Sequence, residues 1–301
     1  MASARAGLVA VALLLAGLAA CGAASDTASV ISSTVTRAVV TAQRPDLLVL
    51  SANRGGCHLL LNSGALVTAP VVAVNGTSAS ALCVDSNARL TAGAISVQGG
   101  LLRHGGAVSA VPQVRQPAAA DWLASLRPPA APAASCPGAA CPDGTNLVAH
   151  GTYRLLPGSY RVTINVASEA RVCMAPGSYV LRASWNLDAP LHPYGSPGCP
   201  AVTPGTRPGV LLYFARGHVQ CNSGGGLTLL RAMPRGPYRG LLYWQASRRA
   251  TAIDGAGFAG GGWYEPAGAL ILNSGASLSA PFVAAATITV NARARLTVSG
   301  P

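Results

Sequence analysis

A twelve-residue segment occurs twice in this 301-residue chain, and the repeat constrains the fold more than any other feature. Residues 59–70 (LLLNSGALVTAP) return as residues 270–281 (LILNSGASLSAP), with eight identical positions. Shorter repeats join residues 88–91 to 294–297 (ARLT) and LPGSY at 156–160 to APGSY at 175–179. Such self-similarity is typical of chains whose units bury their apolar faces against neighbouring units.

Each repeat is a short run of β-forming residues followed by Asn, Ser or Gly, as at residues 71–76, 94–100 and 287–291. Alternating runs predict strands, and Asn and Gly tolerate the backbone of tight turns. We therefore predict an all-β fold, a right-handed parallel β-helix (β-solenoid) with an N-terminal signal or anchor helix. A β-sandwich would show similar strands, but Asn75-Gly76 is the one hairpin-type turn that we find between alternating runs.

The N-terminus has the features of an export signal. Arg5 precedes an uncharged apolar run, which ends in Leu18-Ala19-Ala20-Cys21. This ending resembles a bacterial lipobox, so residues 1–20 are predicted to be a signal peptide and Cys21 the lipidation site. An ordinary signal peptide and an uncleaved membrane anchor are the alternatives. The predicted location is the cell membrane, lipid-anchored and facing outside the cytoplasm.

The rest of the chain divides into four predicted segments. Residues 21–54 form a stalk, 55–111 a first β-repeat segment, and 148–301 a second one. Between them, the Pro/Ala-rich residues 112–147 lack strand alternation and are predicted to be a linker. Within that linker, residues 121–127 are expected to form one or two helical turns, with Trp122 and Leu126 packing on the body.

Eight cysteines fit a chain exported to an oxidising compartment. Cys57 with Cys83, and two among Cys173, Cys199 and Cys221, are plausible disulfide pairs. Cys136 and Cys141 lie close enough for a small local loop. A zinc site at Cys136, Cys141 and His150 lacks a fourth ligand and the usual spacing, and no metal or other cofactor is predicted.

The formal charge is +12, because 21 basic residues face nine acidic ones. This excess favours anionic partners such as envelope polymers or phospholipid headgroups. The arginines are scattered, apart from a group that we interpret as a solvated face: Arg231, Arg235, Arg239, Arg248 and Arg249. Nucleic-acid binding requires clustered arginines with interleaved aromatic residues, and it is not predicted.

Catalysis is not predicted either. Polysaccharide lyases and hydrolases on β-helices need converging carboxylates, and the acidic residues here are widely spaced. Asp85 and Asp254 are expected at turns, and Asp188 with His192 is the tightest acid–histidine pair. An exposed carbohydrate-stacking platform is a further alternative, but packing over an edge or end of the solenoid is the preferred interpretation for its members, Tyr243, Trp244, Trp263 and Tyr264.

The order of these motifs resembles the carboxy-terminal repeat region of TadG-like proteins, which accompany tight-adherence (Flp-type) pilus systems. The resemblance rests on LLLNSGALV, LILNSGASL and VNARARLTVSG, on Pro-Gly-Ser-Tyr at residues 157–160 and 176–179, and on GPYRGLL at residues 236–242. It covers roughly residues 55–301 and implies a surface-exposed β-helical body. We expect an adhesive or structural surface protein; the alternatives are a pilus-assembly or envelope scaffold component and a carbohydrate-active enzyme.

Overall fold

The computed structural model describes residues 44–53, 55–130, 145–147, 151–205, 208–227 and 229–300. All of them belong to one of the chain's two compact units, Val40–Pro301. In this described part every regular element is a β-strand, and the strands stack in parallel into a solenoid of about 11 turns. The predicted all-β solenoid is confirmed. The predicted signal or anchor helix lies outside the described residues.

The strands are short, and most contain three to five residues. In chain order they are β1 Leu47–Val49, β2 Leu59–Leu61, β3 Leu66–Val74, β4 Leu82–Val84, β5 Arg89–Val97, β6 Leu101–Arg103, β7 Ala107–Val108, β8 Gln113–Val114, β9 Thr145–Leu147, β10 Thr152–Leu155, β11 Gly158–Tyr160, β12 Ile164–Val166, β13 Arg171–Met174, β14 Gly177–Leu181, β15 Trp185–Leu187, β16 Leu191–Pro193, β17 Val210–Phe214, β18 Val219–Cys221, β19 Leu241–Gln245, β20 Thr251–Ile253, β21 Gly257–Phe258, β22 Gly262–Leu272, β23 Ser277–Ala280, β24 Val283–Val290 and β25 Arg295–Val298.

The strands form three parallel ladders, one on each side of the coil. Ladder 1 contains β10, β13, β16, β21, β23, β25, the first half of β3, the first half of β5, and β7. Ladder 2 contains β11, β14, β17, β19, the first halves of β22 and β24, β1, the second halves of β3 and β5, and β8. Ladder 3 contains β9, β12, β15, β18, β20, the second halves of β22 and β24, β2, β4 and β6.

The corner between ladders 3 and 1 explains the Asn-Ser-Gly motif. The amide of Ala65 donates to the carbonyl of Asn62 at 2.9 Å, and Ala276 repeats this bond with Asn273. The third turn residue has a positive φ, 77° at Gly64 and 80° at Gly275, which glycine adopts without a steric penalty. The two copies of the repeat are therefore the same corner in different coils.

Corner side chains from successive coils form a polar row. Asn62 Nδ2 donates to Asn291 Oδ1 at 2.5 Å, and Asn291 Nδ2 donates to Asn273 Oδ1 at 2.6 Å. Asn273 in turn donates to Asp254. Each amide thus satisfies its neighbour at the coil spacing, which explains why the corner prefers Asn and Asp.

The chain does not build the solenoid from one end to the other. Its first coils lie in the middle, because β24 pairs with β1 and β2, and β25 pairs with β3. From there an N-terminal arm, residues 46–116, extends in one direction. A C-terminal arm, residues 151–300, starts at the opposite end and returns to the middle. The two predicted β-repeat segments form one continuous stack. It also contains β1, which was assigned to the stalk, and β8 and β9, which were assigned to the linker.

The main apolar core fills the interior, and a second cluster lies on the outside of ladder 2. Outward residues such as Leu48, Leu211 and Trp244 are buried there because the segment 119–127 and the loop before β19 cover them. Within this strap, Leu123 is only 7% exposed, and Trp122 meets Phe282 edge-on at 4.7 Å between ring centroids. The expected packing of Trp122 and Leu126 on the body is confirmed, with turns at residues 122–125.

Hydrogen bonds fix the course of the strap. Asn75 and Ala119 exchange two bonds of 2.8 Å, one from the amide side chain and one to it. The Tyr264 hydroxyl donates to Asp121 at 2.8 Å, and the Tyr238 hydroxyl donates to the carbonyl of Arg127 at 2.9 Å. The strap therefore crosses the coils from the N-terminal arm into the C-terminal arm. Such a crossing is required because the C-terminal arm starts at the opposite end of the stack.

Each arm carries a disulfide. Cys57 pairs with Cys83 and Cys173 with Cys199, and each bond closes a sequence separation of 26 residues. Both predicted pairings are confirmed. Cys221 is a free thiol in the interior, where burial and the nearby Asp254 raise its pKa to about 12. Cys21, Cys136 and Cys141 lie outside the described residues.

Candidate anion-binding groove

Four exposed arginines gather at the corner between ladders 2 and 3 of the C-terminal arm. Arg182 follows β14, Arg216 follows β17, and Arg248 and Arg249 follow β19. These strands are consecutive in the ladder, with Leu181 beside Phe214 and Phe214 beside Gln245. The arginines line a groove of about 870 Å³. Chain segments more than 60 residues apart therefore present guanidinium groups to one space.

The groove floor consists of small residues: Ala183, Ser184, Ala215, Gly217, Ala246 and Ser247. Gly217 has a φ of 77°, and a Cβ there would lie 2.4 Å from the carbonyl carbon of Ala183. The coils approach so closely at this position that only glycine fits. The Ser247 hydroxyl adds a 2.5 Å bond to the carbonyl of Gly217, which ties two neighbouring coils together.

A buried side chain shapes the turn that carries Arg248 and Arg249. Gln245 is fully buried, and its Nε2 donates to the carbonyls of Ser247 and Arg249 at 3.3 and 2.5 Å. These bonds hold the backbone of the turn against the interior. The backbone that carries Arg248 and Arg249 is therefore fixed before a ligand binds, and only the arginine side chains remain to be ordered.

The groove is strongly positive. Thr163 is its remaining lining residue, and none of the residues that line it is acidic. Beside it, His218 lies with its Nδ1 3.1 Å from the Ser184 hydroxyl. Burial, and then the charge of Arg249, lower the pKa of His218 below its ordinary value. The ring is therefore neutral at pH 7, and the positive charge of the groove comes from arginines alone.

The arginine group predicted from the sequence does not form one patch. Arg231, Arg235 and Arg239 lie in the loop before β19, whereas Arg248 and Arg249 lie after it, at the opposite corner of ladder 2. The structure instead unites Arg248 and Arg249 with Arg182 and Arg216, which the sequence interpretation missed. Their positions along the chain could have revealed the group, because each of these arginines follows a ladder 2 strand by one to four residues.

The three aspartates that the sequence analysis singled out lie at turns of the solenoid. Asp85 and Asp254 lie at the corner between ladders 3 and 1, where turns were predicted. Asp188 lies at the same corner and accepts a 2.5 Å bond from Asn222. No hydrogen bond or ion pair joins Asp188 to His192, although both are described. Among the described residues, no group of His, Cys, Asp or Glu side chains could hold a metal ion; Cys136, Cys141 and His150 lie outside them.

The alternative of an aromatic carbohydrate platform is wrong for the four residues considered. Tyr243 and Trp263 stack inside the solenoid at 3.8 Å between centroids, and both are fully buried. Trp244 and Tyr264 point outward but are only 5% and 3% exposed, because the strap and the loop before β19 cover them. The inner pair belongs to the core and the outer pair packs on the outside of ladder 2, so neither pair lies over an edge or end of the solenoid, where both were expected.

One acidic residue is fully buried in the interior. Glu265 Oε2 accepts a 2.9 Å bond from Thr251, which also bonds to Gln245 and Tyr243. Burial raises the pKa of Glu265 to about 8, against smaller opposing effects of Thr251 and of the Trp263 indole. The indole makes no hydrogen bond of normal geometry. At pH 7 this carboxyl group is therefore mostly protonated and does not offset the positive charge of the arm.

No protein family, curated protein or solved structure matches the chain at a significant level. Among the described residues, no helix has the length and apolar character that a membrane crossing requires. The predicted lipidation site, Cys21, lies outside that part of the chain.

Proposed function

We propose that this protein is an exported, lipid-anchored cell-surface protein whose solenoid has an adhesive or structural role. The lipobox-like sequence would place acylated Cys21 at the membrane and the β-body outside the cytoplasm. The observation that carries the proposal is the pair of disulfides, because structural disulfides persist in oxidising, extracytoplasmic compartments.

Binding, rather than catalysis, is the role we assign to the body. The arginine groove offers guanidinium groups and small polar residues but no carboxylate that could act as a general acid or base. The stacked parallel ladders of the body suit a rigid spacer. The resemblance to TadG-like proteins extends the proposal to a tight-adherence pilus system, and adjacent genes for a pilus ATPase and a prepilin peptidase would support it.

Labelling with radioactive palmitate tests the anchor. We expect label in the wild-type protein and none in Cys21→Ser, because an acylated cysteine is required at that position. Cys221→Ala is the matched control, since it removes a cysteine whose thiol is buried in the solenoid. The Cys21→Ser protein should also leave the membrane fraction. Equal labelling of wild type and Cys21→Ser would contradict the proposal.

A further inference from the structure

We propose that the arginine groove binds a linear acidic glycopolymer, a sugar-containing chain with a carboxylate or phosphodiester group in its repeating unit. The inference rests on the proposed function in one respect: only a protein on the cell surface meets such polymers. The contacts themselves are a property of the folded body. Arg182, Arg216 and Arg248 are the principal ligand contacts, and Arg249 is the fourth.

The arrangement of the arginines favours a polymer over a single ion. They come from three consecutive coils, and neighbouring strands of a sheet lie about 4.8 Å apart. The positive charges are thus distributed along the solenoid axis and do not converge on one point. A ligand that meets all of them has to carry several anionic groups along its length, and the groove volume of about 870 Å³ is large for a lone phosphate.

Guanidinium chemistry defines the ligand groups. Arginine binds carboxylate and phosphate oxygens with two parallel N–H···O bonds, and it stays charged at every physiological pH. All four arginines are exposed, so each contact alone is weak. Several such contacts to one chain add through effective concentration, which is how a shallow basic groove gains affinity for a repeating ligand.

The floor favours a glycopolymer over a nucleic acid. Single-stranded nucleic acids bind where bases stack on exposed aromatic side chains, and none of the groove residues is aromatic. The nearest outward aromatic residues, Tyr213 and Trp244, are buried against each other and under the loop before β19. The groove instead offers the side-chain hydroxyl groups of Thr163, Ser184 and Ser247, which suit sugar hydroxyls.

The decisive variant replaces three groove arginines: Arg182→Gln, Arg216→Gln and Arg248→Gln. The matched control is Arg231→Gln, Arg235→Gln and Arg239→Gln, which removes the same charge from exposed positions at the opposite corner of ladder 2. Full-length protein in detergent is titrated with a phosphomannan, polygalacturonate, neutral dextran and a single-stranded DNA oligomer. Far-UV circular dichroism verifies that both variants are folded.

Wild type should bind at least one acidic glycopolymer, with a dissociation constant that increases with salt, and should not bind dextran. The groove variant should bind about tenfold more weakly, and the control variant within about twofold of wild type. The two acidic probes distinguish phosphate-bearing from carboxylate-bearing ligands.

Three results would overturn the inference: no binding to either acidic glycopolymer, equal weakening in both triple variants, or tighter binding of DNA through the same arginines. The last would assign the groove to nucleic acid. Because binding is measured on purified protein, none of these results depends on lipidation. Failure of the palmitate experiment and failure of this one are therefore separate outcomes.

Discussion

The two arms of the solenoid share one coil geometry but fill it differently. Residues 46–116 contain no Phe, Tyr or Trp, whereas residues 151–300 contain all eight Tyr, all three Phe and three of the four Trp. In the C-terminal arm, Tyr160, Trp185 and Phe214 contact one another in succession inside the coil. In the N-terminal arm, Leu and Val fill the equivalent positions.

The arms also differ in their formal charge and in the size of their loops. Formal charge is +2 for residues 46–116, from four Arg and two Asp, and +9 for residues 151–300, from 13 Arg and four acids. The larger loops, such as that between β18 and β19, also belong to the C-terminal arm. The comparison indicates that the ladders and the corner row define the coil. The interior volume and the loops differ between the arms, and the arginine groove lies in the arm with the larger loops.

The largest expected effect is at the seam where the arms meet. Ile288 of β24 is fully buried between Leu59 and Leu270. Ile288→Asp should reduce the free energy of unfolding by about 5 kcal/mol, because it buries a charge without a partner. The control Thr289→Asp, one residue later on the outward face, should cost less than about 1 kcal/mol.

Urea unfolding measures both seam variants and tests the continuity of the stack. Tryptophan fluorescence reports the C-terminal arm and the strap, while far-UV circular dichroism reports both arms. In wild type the two transitions should coincide, because the pairing of β24 with β1 and β2 couples the two arms. Separate transitions in wild type would show that the seam does not couple them.

The next largest effect concerns the buried Glu265 in the C-terminal arm. The folded protein holds a proton on Glu265 up to its pKa of about 8, whereas the unfolded chain releases it near the ordinary value of 4.5. The free energy of unfolding therefore decreases by at most roughly 5 kcal/mol as the pH rises from 4.5 to 8. Glu265→Gln should flatten this part of the pH profile in urea titrations. An unchanged profile would show that Glu265 is ionised in the folded state.

The smallest expected difference is between the two disulfides, one in each arm, because their removal should reduce stability by nearly the same amount. Removing Cys57–Cys83 or Cys173–Cys199 by paired Ala substitutions should each cost about 3 to 4 kcal/mol, because both bonds close loops of 26 residues. Thermal unfolding of the two double variants should differ by less than about 1 kcal/mol in stability. A cost near zero in one arm would show that loop closure does not govern its stability.

The repeat LLLNSGALVTAP determined much of the fold by itself. Its alternating β-formers, its Asn-Ser-Gly corner and its second occurrence at residue 270 predicted stacked parallel coils. Cys57 with Cys83 was also predictable. These features are local, because a strand period, a positive φ or a short cysteine separation is specified by a few consecutive residues.

Only the tertiary structure decided which coils are neighbours. β1 pairs with β24 across more than 230 residues, and the strap over ladder 2 follows from that order. The groove has the same origin, because Arg182, Arg216 and Arg248 lie far apart in sequence and meet where consecutive coils of unequal length turn the same corner. Local propensity specifies each coil, but the burial of one coil against the next decides which side chains share a surface.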